Sequence, residues 1–111
     1  MKRLGWGLVA AALLAGAAQA RPSPAAGERF ARRACAGCHA IGVSGASRNP
    51  LSPPFRVLAA HLPGRALAAE LKIISAHGHQ EMPPIYMTPG ERRAVAAYIR
   101  SVGARSRRRP A

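Results

Sequence analysis

Three stretches of the chain repeat their apolar positions every three or four residues, and the segments between them are broken by proline, glycine and serine. In the first, Gly27, Phe30, Ala31 and Ala34 share one face while Glu28 and Arg32, four apart, fall on the wet side, which is the spacing of an amphipathic helix. Ser23 is placed to cap it and Pro24 to open it. In the second, "PGRALAAELKIISAHG", Leu67, Leu71 and Ile74 lie at i, i+4 and i+7, and Gly78 offers a stop. The third has the clearest start: Thr88 caps, Pro89 takes the first position and Glu91 closes a T-x-x-E capping box. Val95, Tyr98, Ile99 and Val102 supply its apolar face, and Gly103 reads as its end. No stretch alternates at period two, so the pattern shows helices joined by Pro-rich loops and no strand.

The connections carry as much information as the helices. Residues 40–55, "AIGVSGASRNPLSPPF", contain Pro50, Pro53 and Pro54 and read as a long loop. A loop of that length in a small domain is functional or wrapped around something. Pro83 and Pro84 likewise hold "HQEMPPIYM" out of helix. The end of the chain, residues 104–111, is "ARSRRRPA", basic and poor in apolar groups, and reads as a disordered tail.

At the other end, Lys2 and Arg3 precede an uncharged run to Ala18 and an A-x-A site at Ala18, Gln19 and Ala20. That is the form of a cleavable secretory signal over residues 1–20; the alternative is an uncleaved amphipathic anchor. The run is too short for a comfortable span of about 20 residues. The domain is then residues 21–103, and export predicts a periplasmic protein. The mature chain keeps 15 basic residues against four glutamates, a net charge of +11. Its aromatics are only Phe30, Phe55, Tyr86 and Tyr98, and alanine is abundant. A single small domain with so thin a core calls for a staple or a prosthetic group.

The only two cysteines of the chain stand in "CAGCH", Cys35 to His39. A redox dithiol needs a βαβ setting that this chain lacks. A zinc site would draw on Cys35, Cys38 and two of His39, His61, His77 and His79, but the spacing fits no usual zinc pattern. A c-type haem accounts for all five residues. Two thiols on one helical turn reach the two vinyl groups of a porphyrin, and the following histidine is held beneath the ring as a ligand to iron. The cofactor expected is therefore one covalent haem c, with Cys35, Cys38 and His39 as its first contacts.

The second axial ligand decides the chemistry, because iron with both positions filled moves electrons and iron with one open can bind gases or catalyse. Met82, in "EMPP", lies 43 residues after His39, and its thioether is a soft ligand that favours reduced iron. Met87 is a rival thioether and His79 a rival nitrogen ligand; His61 and His77 read as solvated, and Tyr86 as packing.

From Gly27 to Val102 the chain resembles a small bacterial class I cytochrome c, on the strength of Gly27 and Phe30, the CAGCH motif, the Pro-rich loop, "H-x-x-MP" at residues 79–83 and "AYI" at residues 97–99. The resemblance implies an all-α cytochrome c fold, three to four helices and Pro-rich loops wrapped around one haem, with the first and last helices crossing where Gly27 and Phe30 meet Tyr98. It also implies that the carbonyl of Pro53 or Pro54 accepts a hydrogen bond from His39, orienting the ligand. The function it implies is single-electron carriage between redox proteins, without substrate chemistry. Two other functions stay open: a haem subunit dedicated to one dehydrogenase or oxidase complex, and a gas-binding or peroxidatic protein with a labile methionine. The basic charge suits an acidic redox partner or an anionic membrane surface, whereas nucleic acid and small-molecule substrates are not expected.

Overall fold

The computed structural model describes residues 22–109, so the export signal expected over residues 1–20 lies outside the described residues. Four helices follow one another: α1 (Pro24–Ala34), α2 (Phe55–His61), α3 (Gly64–His77) and α4 (Pro89–Arg108). Among the described residues there is no strand, only an isolated pairing of His79 with Met82, and no helix is long and apolar enough to cross a membrane. The start signals act as the sequence suggests. Ser23 accepts from the Ala26 N–H at 3.2 Å, and Thr88 and Glu91 form the reciprocal capping box.

Helix α4 is the spine, packed against each of the other three. Its face of Val95, Tyr98, Ile99 and Val102 is buried together with Ala31, Phe55, Leu67, Leu71 and Met87. Val95, Ile99 and Val102 are among the most deeply enclosed, and burying each contributes about 1.5–3 kcal/mol. Helix α1 crosses α4 at Gly27, where a Cβ would run into the Ala94 carbonyl and stand 2.8 Å from the Tyr98 Cβ. The crossing that the resemblance implied is thus built on a glycine that lets two backbones touch.

Two features depart from the pattern reading. Gly103 does not end the last helix: α4 runs on to Arg108, so residues 104–108 are helical rather than a disordered tail, while residues 110–111 lie outside the described residues. The reason is a second close approach, since a Cβ on Gly103 would collide with the Ala59 Cβ of α2. A mid-helix glycine costs only about 1 kcal/mol, and Arg105, Arg107 and Arg108 sit in the last turn, where the helix dipole favours cations. The other departure is α2 itself, hidden behind the prolines. Pro53 and Pro54 end where it begins, Pro54 being its N-cap. Phe55, Leu58, Ala59 and Leu62 then fall at i, i+3, i+4 and i+7 and pack on the core.

Candidate functional site

The end of α1 hands the chain to a tight turn. The Cys35 N–H bonds to Ala31, and the Cys35 carbonyl accepts from Cys38 at 3.2 Å and from His39 at 2.9 Å. A hydrogen-bonded turn therefore follows the helix and brings Cys35, Cys38 and His39 together. Both thiols are free; Cys35 is buried and Cys38 exposed. Burial pushes the Cys35 thiol up to about 11, the opposite of the lowered value that a nucleophilic dithiol requires. Among the described residues no three His, Cys, Asp or Glu side chains converge to hold a metal ion, which leaves the zinc alternative without a donor set.

The Pro-rich loop returns to this turn and fixes it. The Asn49 N–H donates to the Cys38 carbonyl at 3.1 Å and the Phe55 N–H to Ala40 at 2.9 Å. Ser47 Oγ accepts from Ala40, and the Arg56 guanidinium clasps the Gly45 carbonyl at 2.8 Å. His39 Nδ1 lies 2.7 Å from the Pro53 carbonyl oxygen. A carbonyl can only accept, so Nδ1 carries the proton and Nε2 keeps its lone pair for a metal. The Phe55 ring, 5.7 Å from the imidazole and 6.2 Å from Tyr98, links the site to the α1–α4 crossing. Tyr98 ties back in turn, its hydroxyl donating to the Ile41 carbonyl at 2.9 Å.

Met82 is placed on a separate segment at the C-terminal end of α3. Gly78 ends that helix at φ 73°, and a Cβ on it would stand 2.9 Å from both the Pro83 carbonyl carbon and the Pro84 nitrogen. The chain thus folds straight back: His79 and Met82 exchange backbone hydrogen bonds of 3.0 and 2.8 Å, and the Ile85 N–H bonds to Ile74. Gln80 takes the turn at φ 49°, where a side chain costs strain of order 1 kcal/mol or more. The two methionines differ sharply. Met87 is buried in the core, with its N–H on Ser75 Oγ at 2.9 Å and its carbonyl taking the Ser75 hydroxyl and Arg92. Met82 stays half-buried with its side chain outside that core. His61, His77 and His79 are exposed. Tyr86, expected as packing, is 79 % exposed.

The pattern reading missed Ser75, which locks Met87, and the pairing of Phe55 with His39. The only signal for the latter was the apolar register of α2.

The family model described as "Cytochrome C oxidase, cbb3-type, subunit III" matches residues 22–99. The chain belongs to this family and is a small c-type cytochrome with the all-α cytochrome c fold. Its chemistry is haem-based electron transfer, it binds haem and iron, and its partners are redox proteins. No curated protein and no solved structure matches the chain. The residues present fit the group that the family implies. Two free thiols and an Nδ1-protonated histidine share one turn, and large apolar side chains stand uncovered: Leu51 on the Pro-rich loop, Ile73 on α3 and Tyr86 on the segment that carries Met82.

Proposed function

We propose that the chain is an exported single-electron carrier with one covalent haem c, attached through Cys35 and Cys38 and ligated by His39 and Met82. The observation that carries this reading is the hydrogen bond from His39 Nδ1 to Pro53. It fixes the imidazole's tautomer and rotation, so that the ring offers Nε2 as an oriented and more basic donor. Bound there, haem supplies a one-electron ferric–ferrous couple. Cys35 and Cys38 would hold the group as thioethers, and Phe55, 5.7 Å from the His39 ring, packs against the imidazole that would ligate it. The fold-back after Gly78 presents Met82, whose thioether favours the reduced iron; Met87, spent in the core, is the weaker candidate. Held by both His39 and Met82, the iron would supply electron transfer and keep no position open for a substrate. Export through residues 1–20 accords with a periplasmic location, and the net charge of +11 suits an acidic partner or an anionic membrane surface.

The test is spectroscopic. The oxidised protein should show the weak far-red sulfur-to-iron charge-transfer band, Met82→Ala should abolish it and Met87→Leu should leave it. Loss in the Met87 variant alone would assign the ligand wrongly. Carbon monoxide bound by the reduced protein at neutral pH would favour the gas-binding alternative instead. The family's description as an oxidase subunit supports a second reading, a haem subunit dedicated to one complex. Co-purification with a partner at fixed stoichiometry would establish that reading, and recovery of a free monomer would retain the carrier.

A further inference from the structure

Residues 79–87 form the strap between α3 and α4 that carries Met82, and what fastens it lies outside the CAGCH turn. At its start Gly78 folds it back, and His79 and Met82 hold each other through their backbones. Pro83 and Pro84 follow and have no N–H to give. Past them the strap returns to α3, where the Ile85 N–H reaches the Ile74 carbonyl at 3.2 Å beside the Gly78 N–H that bonds it at 3.0 Å. Tyr86 is exposed. The firm attachment comes at Met87.

Both polar groups of the Met87 backbone are taken by side chains, and from two different helices. Ser75 Oγ accepts from the Met87 N–H at 2.9 Å and donates to the Met87 carbonyl at 3.2 Å. Arg92 Nη1 donates to the same carbonyl at 3.1 Å. The Met87 side chain is buried in the core as well. A serine inside a helix is a poorer helix former than alanine, and its hydroxyl ordinarily turns to its own helix or to water. The Ser75 hydroxyl instead bonds a residue twelve positions on, so its contribution is to the strap rather than to α3. Between this attachment and Met82 the proline rings fix φ at about −65°. A strap held at residues 85 and 87 therefore restrains residue 82 too.

We infer that Ser75 is a positioning residue for the distal ligand: its hydroxyl latches the strap to α3 and sets how seldom Met82 swings away from the position in which it would ligate iron. This rests on the reading of Met82 as that ligand. Without the hydroxyl the N–H of a buried residue is left unpaired while Arg92 still holds the carbonyl. The strap then opens more often, and the rest of the fold stays in place.

Imidazole titration of the ferric, haem-loaded protein, followed by the far-red band, reads the open fraction. The Met82 sulfur leaves with its lone pair, an imidazole nitrogen donates its own, and the iron stays ferric. Apparent affinity scales with the open population, so Ser75→Ala should bind imidazole about tenfold more tightly, as expected for the loss of one or two hydrogen bonds. Ser75→Thr, which keeps the hydroxyl, should restore the wild-type affinity. Leu58→Ala, a truncation on α2 at the edge of the core, should lower the melting temperature and leave the affinity unchanged. Amide exchange gives a readout that does not involve the iron: in Ser75→Ala the Met82 and Ile85 N–H groups, whose own partners are intact, should exchange faster together with Met87, while those of α1 do not. Faster exchange at Met87 alone, or an affinity that merely follows the melting temperature across the variants, would overturn the latch. A wild-type protein without the far-red band would sink the Met82 assignment and this role with it, whereas a band that is present and a Ser75→Ala affinity that is unchanged would overturn the latch alone.

Discussion

His39 cannot choose its own tautomer; Pro53 chooses it, and the rest of the site is arranged at the same level of single contacts. Gly78 does for the distal segment what Pro53 does for the proximal one. With φ at 73° and the backbone of residues 82–84 against its α-carbon, any side chain there must push the Met82 segment outward. Gly78→Ala should therefore weaken or abolish the far-red band at a stability cost of about 1–3 kcal/mol. Met87→Ala should do the reverse. It opens a cavity in the core, costing about 2–5 kcal/mol, while the band survives. Spectrum and thermal unfolding measured on the same samples separate the two; a Gly78 variant with an unchanged band would show that the fold-back does not position Met82.

Helix α4 is held at its start by chemistry written in the sequence and along its length by contacts that are not. Thr88→Ala removes the cap and should cost about 1 kcal/mol. Gly103→Ala is the sharper case. A mid-helix glycine free of contacts would gain about 1 kcal/mol from alanine, whereas at a crossing the new methyl meets Ala59 of α2 and should cost about 1–3 kcal/mol. Urea unfolding checks this, and a neutral or stabilised variant would refute the crossing. The same contrast shows what was legible. Caps, capping box and apolar stripes are local, so α1, α3 and the start of α4 could be read from residues within a turn of one another. The motif at Cys35, Cys38 and His39 was legible for the same reason. The role of Gly103 depends on Ala59, far away in the chain, and α2 was masked by the prolines before it although its own register was present. Gly27 was readable only through the resemblance, since nothing in its neighbours marks a crossing. The prolines after it marked Met82 in sequence, but the burial of Met87 was not legible because Ser75, which holds it, lies on α3.

At the scale of the molecule, charge governs how partners meet. If residues 1–20 are removed as proposed, the remaining chain carries a net +11, whose field reaches about 8 Å at physiological ionic strength and would speed capture of an acidic redox partner at low salt. Truncation after Gly103 keeps the Ala59 contact and removes Arg105, Arg107, Arg108 and Arg109, so the haem spectrum should persist while the salt dependence of association flattens. Stopped-flow reduction by the donor across an ionic-strength series reads this. A rate that rises with salt would mean that the partner is itself basic. Beneath these effects lies the claim that one haem is held covalently by Cys35 and Cys38 in an exported chain. The intact mass of the purified protein under denaturing conditions tests it most directly. Residues 21–111 plus the mass of one haem, with no titratable thiol, is the result this account predicts; a chain carrying no haem mass and two free thiols would contradict it.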